Sequence, residues 1–264
     1  MQNTPFETIV SALTHDQNPR VWSLLVSVFG ELAQDDGSKI SGTLLRQLTQ
    51  DIGIKPEAMR VAIHRLRKEG WIDSERDGRN SVYFLTPWGR AQSAAASPRI
   101  YATTQTADTA WMAFYNPARP AQSGEPTGVW VSTNVLICAD DPTDDGVFVT
   151  PLRPQTQLPD WMAGKICDDQ AVQMSEEFSI ALGHITRQLP ATRVLQPREI
   201  AVLRVLLVHG WRRIILKTPL LPDYVFPTAW SGPKCRAMVT DLLAQYPNPG
   251  LAALEPAADT TKAG

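Results

Sequence analysis

Basic side chains recur on one face of the segment between residues 55 and 68. At helical spacing that face holds Arg60, His64, Arg67 and Lys68, with Arg65 on its flank. The segment contains five lysines and arginines against one acid. Guanidinium groups pair with guanine edges and with phosphates, so such a face suits the major groove of duplex DNA. A helix face that only meets solvent carries the same pattern, so the elements around it must separate the two interpretations.

Three helices are predicted in this part of the chain, and the third carries the basic face. Leucine, valine and phenylalanine at helical spacing predict a buried helix over residues 20–33. Ser41 is a suitable N-cap for a second helix that runs to Gly53, and Pro56 suits the first turn of a third helix. The third helix is expected to turn an apolar stripe inward, made of Met59, Ala62, Ile63 and Leu66.

A β-hairpin is predicted after the third helix. Residues 71–76 and 81–85 have strand character, and the Asp-Gly pair at residues 77 and 78 is a strong signal for the turn between them. Two helices, a basic helix and a basic hairpin make a winged helix-turn-helix. The predicted DNA-binding residues on the basic helix and the hairpin tip are Lys55, Arg60, His64, Arg65, Arg67, Lys68, Arg76, Arg79 and Asn80.

A second interpretation stays open, because winged helices also serve as protein-interaction modules without specific DNA binding. A positive stripe that joins Arg60 and Arg67 to the hairpin tip favours DNA. A neutral apolar stripe in the same place favours a protein partner.

Two motifs stand far apart in the chain. The first, in residues 52–90, contains Ala62, Arg65, Leu66, Gly70, Trp71, Gly78, Arg79, Ser81, Tyr83, Leu85, Thr86 and Gly89. The second, in residues 209–232, contains Arg213, Leu216, Pro219, Leu221, Pro222, Pro227, Trp230 and Gly232. Together, and in this order, they resemble the motifs of the PaaX-type repressors of phenylacetate catabolism.

The resemblance implies a homodimeric bacterial repressor that leaves DNA when an aryl-acyl-CoA, typically phenylacetyl-CoA, binds. It also implies an α+β fold, with an N-terminal winged helix-turn-helix, a small α+β central domain and a helical C-terminal domain. The chain departs from the family pattern in two places. Residues 116–127 are not expected to form the helix that the family has there, and Lys217-Thr218 replaces its acidic residue before the proline.

Charge and linker composition suggest where these domains begin and end. Net charge is +1 over residues 1–99, −7 over 100–189, +5 over 190–246 and −1 over 247–264. Linker signals occur at residues 93–98, 189–192 and 247–250. We therefore predict a DNA-binding domain (1–99), a central domain with a connecting helix (100–189), an effector-sensing and dimerisation domain (190–246) and a flexible tail (247–264).

Cations in the basic C-terminal segment are the candidates for binding the effector that the resemblance implies. A CoA ester carries several phosphate charges, so Arg or Lys at the rim of a helical pocket suits it. The candidates are Arg204, His209, Arg212, Arg213 and Lys217. The same side chains also suit surface positions or dimer salt bridges, and Trp211 is expected in the core.

Several classes of function are not supported by the sequence. It contains no GxSxG, HExxH, P-loop or GxGxxG pattern, so we predict neither an enzyme nor a cofactor site. Its three cysteines form no CxxC pair, which favours a reducing cytoplasm. The acidic run at 140–146 matches a calcium loop only in part, because Leu152 stands where the loop needs Glu, and a turn without metal is expected. No apolar run reaches the roughly 20 residues of a membrane span.

Overall fold

The computed structural model of the protein describes residues 5–14, 20–78, 80–104, 108–116, 127–142, 146–189 and 194–255. In these ranges the chain is α+β, as predicted, with two small antiparallel sheets. The helices are α1 (Pro5–Thr14), α2 (Val21–Leu32), α3 (Gly42–Asp51), α4 (Pro56–Lys68), α5 (Pro87–Ile100), α6 (Asp160–Ile166), α7 (Asp169–Gln188), α8 (Pro197–Ile215), α9 (Gly232–Gln245) and α10 (Leu251–Leu254). The strands are β1 (Ile40–Ser41), β2 (Ile72–Asp77), β3 (Asn80–Leu85), β4 (Ala110–Phe114), β5 (Gly128–Ser132), β6 (Val135–Cys138) and β7 (Phe148–Leu152).

The chain divides into two compact units. The first comprises Met1–Pro98, Ala181–Gly210 and Val239–Gly264, and the second comprises Arg99–Ile180 and Trp211–Met238. Each unit thus combines segments that are far apart in sequence. The division into four parts stays a prediction about function, since compactness alone does not test it.

In the first unit, α3 and α4 lie in sequence between β1 and β2 of a small antiparallel sheet, whose strand order is β1-β3-β2. Ser41 caps α3 as predicted, with its hydroxyl accepting from the backbone N–H of Leu44 at 3.0 Å. Pro56 opens α4, where its missing N–H costs no hydrogen bond. The predicted hairpin is present, since β2 and β3 pair from Ile72 opposite Leu85 to the turn.

Buried apolar stripes hold these helices together. In α2 the side chains of Leu24, Leu25, Val28 and Phe29 are almost fully buried, as the helical spacing predicted. Helix α8 is buried around most of its circumference between Ala201 and His209. Helix α2 and this part of α8 therefore contribute much of the hydrophobic core of the first unit.

In the second unit, a four-stranded antiparallel sheet has the order β5-β6-β4-β7. The chain turns after Ser132, so β5 and β6 pair as a hairpin. One face of the sheet packs on Leu221 and Val225, which follow α8. Two sequence predictions fall on residues outside the described ranges. The segment expected to lack the family's helix lies largely in residues 117–126, and part of the acidic turn lies in residues 143–145.

Two expectations about linkers are corrected by the structure. Residues 93–98 belong to α5, since alanine favours a helix and Pro98 sits in its last turn. The expected flexible tail is structured as far as residue 255. Asn248 donates to the backbone oxygen of Glu31 at 2.8 Å, Leu254 is buried, and Glu255 accepts from the hydroxyl of Ser41 at 2.7 Å.

Within the described residues, none of the helices combines the length and the apolar character needed to cross a bilayer.

Candidate functional site

Helix α4 presents a basic face to solvent because its apolar stripe is anchored below. Met59, Ala62, Ile63 and Leu66 are buried, as predicted. The exposed side chains on the other side of the helix are Arg60, Val61, His64, Arg65, Arg67 and Lys68. Val61 is 70% exposed, a position that the basic pattern did not single out.

Part of this face lines a groove of about 430 Å³ between α3, α4 and β3. We call it the basic groove. Its lining includes three arginines and one histidine, namely Arg46, Arg60, Arg67 and His64. There is no carboxylate among its described lining residues. Thr43, Asn80, Ser81 and Tyr83 add hydrogen-bonding groups. The groove therefore combines positive charge with donors and acceptors, which is the surface that a nucleic acid requires.

Arg46 was missed by sequence reasoning. It lies on the exposed side of α3, opposite the stripe of Leu44, Leu45 and Leu48. Helical spacing places it in solvent, but only the packing of α3 beside α4 places it in the groove.

Ion pairing distinguishes the arginines of α4. Arg65 lies 2.7 Å from the carboxylate of Glu69, and its guanidinium lies 4.5 Å from the ring centroid of Trp22. Arg67 approaches Asp73 only to 3.6 Å, and both partners are about half exposed. Exposed pairs at such distances contribute little. The contacts of Arg65 therefore favour a structural role, whereas Arg67 can exchange its partner for a phosphate.

The hairpin extends the groove beyond α4. Arg76 pairs opposite Ser81, so both side chains project from the same face of the hairpin, and Ser81 lines the groove. Gly78 adopts φ = 59°, which the tight turn requires. Arg76 and Asn80 are exposed, and Arg79 lies outside the described residues.

The base of the hairpin is locked to the end of α4. The hydroxyl of Thr86 donates to the backbone oxygen of Gly70 at 2.6 Å and accepts from the N–H of Gly89 at 3.0 Å. A Cβ at Gly89 would lie 2.1 Å from the carbonyl oxygen of Trp71. These positions of the first motif therefore fix the hairpin relative to α4.

Two of the five predicted effector-binding residues have structural partners in the first unit. Arg204 is buried, lies 2.6 Å from the carboxylate of Glu31 and donates to two backbone oxygens. The buried ring of His209 contacts the hydroxyl of Ser27 at 3.0 Å through Nδ1. These contacts favour packing roles over ligand binding.

The other three belong to the second unit. Arg212 and Arg213 are both half-buried, and burial lowers the pKa of the Arg212 guanidinium, with the charge of Tyr101 acting against it. Lys217 is exposed and lines a pocket of about 210 Å³ with Lys165 and Asp168. The five candidates are thus divided between the two units. Trp211 is fully buried, as expected, and donates to the backbone oxygen of Ile100 at 3.1 Å.

The second motif surrounds a different pocket. Pro219, Leu221 and Trp230 line it, together with Arg99 and Arg236, which no pattern had indicated. We call it the Trp230 pocket. A Cβ at position 232 would lie 2.3 Å from Nε1 of Trp230, which explains the glycine of the motif.

None of the described His, Cys, Asp and Glu side chains gather in a group that could hold a metal ion.

Comparison with known proteins adds to this geometry. Residues 20–89 match the family described as PaaX-like protein, and residues 167–255 match the PaaX-like protein C-terminal domain. The chain is 22% identical over 268 residues to the transcriptional repressor PaaX of Escherichia coli (strain K12), covering 90% of this chain and 84% of that protein. The solved structure of the uncharacterized protein Rv0674 from Mycobacterium tuberculosis is 19% identical, has a TM-score of 0.49 and covers 88% of this chain and 98% of that chain. The two family matches include both motifs that the sequence presents.

Proposed function

The chain belongs to the PaaX-like family, and on that premise we propose that it is a transcriptional repressor that binds duplex DNA through a winged helix-turn-helix. In this proposal it acts in the cytoplasm as a homodimer, and an aryl-acyl-CoA such as phenylacetyl-CoA releases it from its operator. Membership of a regulatory family confirms the prediction that the chain is not an enzyme.

The observation that carries the DNA-binding proposal is the basic groove. Its lining holds three arginines and a histidine without a carboxylate among the described lining residues, and α4 forms one of its walls. DNA carries a high density of negative charge, so neutralising phosphates supplies most of the affinity of such a surface. The protein-interaction alternative predicts a neutral apolar stripe along α4 and the hairpin, whereas this groove carries positive charge.

We propose different DNA contacts for different parts of the groove. Arg60, Val61 and His64 lie on the exposed face of α4 and are proposed to read bases in the major groove, with Val61 suited to a thymine methyl group. Arg46 and Arg67 are proposed to contact phosphates on either side of the helix. Arg76, Arg79 and Asn80 at the hairpin are proposed to contact the neighbouring backbone.

Operator binding tests these assignments. The binding site is first obtained by selecting fragments of genomic DNA on the wild-type protein, and affinity is then measured by fluorescence anisotropy at several salt concentrations. Arg60→Ala should lower affinity for the operator more than for random DNA, by about 1–3 kcal/mol of discrimination. Arg46→Ala should weaken both and reduce the salt slope by about one.

Arg153→Ala is the matched control, because it removes one exposed positive charge from the second unit, outside the groove. Its affinity and salt slope should equal those of the wild type. If Arg46→Ala and Arg60→Ala also equal the wild type, the groove is not the DNA-binding surface.

The homodimer and its release are tested on the same operator. A single winged helix offers few contacts, so useful affinity needs two copies on a two-fold axis. Light scattering at micromolar concentration should therefore give twice the mass of the chain. Adding phenylacetyl-CoA should release the operator fragment, and its failure to do so, together with failure of other acyl-CoAs, contradicts the effector part of the proposal alone.

A further inference from the structure

Residues 247–255 form a strap within the first unit, and this C-terminal strap reaches the start of α3. At one end, the side-chain amide of Asn248 donates to the backbone oxygen of Glu31 in α2 at 2.8 Å. The strap then forms α10, in which Leu254 is buried. At the other end, the carboxylate of Glu255 accepts from the backbone N–H of Ser41 at 2.9 Å and from its hydroxyl at 2.7 Å. The C-terminal strap is therefore fastened at both ends.

The start of α3, to which the strap is fastened, forms one edge of the basic groove. Gly42 and Thr43 come directly after Ser41 and line the groove, and Arg46 lines it one turn later. A Cβ at Gly42 would lie 3.2 Å from the backbone oxygen of Ser81, so this end of α3 packs closely on β3. Glu255 thus places a negative charge at the rim of the groove, against the residue that precedes its lining.

Glu255 supplies a charge that the sequence of α3 itself lacks. The first turn of α3 contains no acidic residue, although the unpaired N–H groups of a helix start favour an anion. The hydroxyl of Ser41 accepts from the N–H of Leu44 at 3.0 Å and gives its own hydrogen to Glu255. Both donors of Ser41 therefore point at a carboxylate that lies 214 positions away in sequence.

A DNA strand that enters the basic groove meets this carboxylate. Three arginines line the groove, so the phosphates of DNA are expected to follow its surface. A phosphate at the rim must either lie beside the like charge of Glu255 or replace it on Ser41. Replacement is chemically feasible because phosphate and carboxylate are both oxyanions that accept from N–H and O–H donors. Either outcome lowers the net affinity for DNA.

We propose that the C-terminal strap is an autoinhibitory contact, in which Glu255 occupies the start of α3 in the free protein and the DNA backbone displaces it. This inference rests on the proposed function, since it concerns the same groove, and it adds a device that lowers affinity for every duplex. Phosphates carry no sequence information, so operator and random DNA are weakened by the same factor. Only sites that also offer base contacts then remain well occupied.

Glu255→Gln tests the proposal, because it keeps the length of the side chain and removes the charge. Fluorescence anisotropy on the full-length protein should show affinity for operator and random DNA rising together, by about two- to fivefold at low salt. The gain should shrink as salt screens the charge. Asp241→Asn is the matched control, because it removes one exposed negative charge from α9 of the same unit, outside the groove lining. It should bind both DNAs like the wild type.

Hydrogen exchange of the wild type provides a second measurement that needs no variant. Within the strap, the backbone N–H groups of Ala253 and Glu255 donate to the oxygens of Gly250 and Leu251 at 3.3 and 2.9 Å. If the strap and DNA compete for α3, DNA must weaken the strap by the same factor as the strap weakens DNA binding. Residues 250–255 should therefore exchange faster in the operator complex than in the free protein, whereas α9 should keep its rates.

The proposal is overturned if Glu255→Gln binds DNA like the wild type, if Asp241→Asn gains as much, or if DNA leaves residues 250–255 equally or better protected. Weaker binding by Glu255→Gln also overturns it, since Glu255 would then support the DNA-binding position of α3. A wild type that binds the operator without these effects refutes the strap alone. If neither the wild type nor Glu255→Gln binds any duplex, the DNA-binding proposal fails and the strap proposal fails with it.

Discussion

Arg204 and Glu31 form a buried ion pair in the first unit, and breaking it is expected to cost much of the protein's stability. Nε of Arg204 lies 2.6 Å from the carboxylate, and the two side chains are 11% and 2% exposed. The same guanidinium donates to the backbone oxygens of Leu243 at 2.8 Å and Tyr246 at 2.6 Å, near the end of α9. One side chain thus joins α8 to α2 and to the end of α9.

The perturbation is Arg204→Met, which keeps a long side chain and removes the charge. The Glu31 carboxylate then stays buried without its guanidinium, and two carbonyls lose a donor. Removing one partner of a buried pair costs about 3–5 kcal/mol, and the free energy of unfolding should fall by that amount. In a protein of this size the melting temperature should fall by roughly 10 °C.

Urea unfolding followed by far-UV circular dichroism measures the change, with the denaturant slope required to stay constant. Arg198→Met is the matched control on the same helix, because Arg198 pairs with Asp51 at 2.7 Å but the side chains are 49% and 30% exposed. It should cost less than about 1 kcal/mol. The double variant Arg204→Met with Glu31→Leu should recover most of the loss, since no buried charge remains.

One result refutes the reasoning. If Arg204→Met is no less stable than Arg198→Met, yet abolishes a response to phenylacetyl-CoA that the wild type shows, then Arg204 binds the effector as its sequence position suggested. The buried pair would then contribute nothing that the geometry assigns to it.

Three further predictions concern the first motif, helix α4 and the thiols. Gly89→Ala should lower the free energy of unfolding by about 1–3 kcal/mol, because its Cβ would lie 2.1 Å from a backbone oxygen. Gly164→Ala is the control and should not lower it, because its Cβ meets nothing within 4 Å. Equal melting temperatures of the two variants contradict this prediction. Arg65→Ala should leave the salt slope of DNA binding unchanged, because Glu69 and Trp22 hold that guanidinium; a slope reduced by about one shows instead a phosphate contact. Burial raises the pKa of each cysteine thiol, so none should react with Ellman's reagent at pH 8 until urea is added, and a fast native reaction contradicts this. The values are about 11 for Cys138, about 12 for Cys167 and about 12 for Cys235. They lie above the ordinary 9.0, so unfolded thiols ionise first, and the free energy of unfolding should decline as the pH rises from about 9 toward 11.

Local features of the proposed DNA-binding region followed from the sequence alone. The apolar spacing of α4 determined which of its faces is buried, Pro56 and Ser41 determined where helices begin, and the Asp-Gly pair determined the turn of the hairpin. Each of these depends on residues within a few positions of one another, so helical periodicity, capping and turn geometry are sufficient. Motif positions such as Gly89 were also recognisable before their physical reason was.

Only the tertiary structure decided what distant cations do. Arg46 joins the groove because α3 packs beside α4, and Arg204 is buried because Glu31, 173 positions away in sequence, meets it. Arg99 shares a pocket with Trp230 although no local pattern relates them. A charged side chain has the same sequence signature on a surface, in a buried pair or beside a ligand. Its role depends on which opposite charges and carbonyls the fold brings within hydrogen-bond distance, and on how much water the same packing removes.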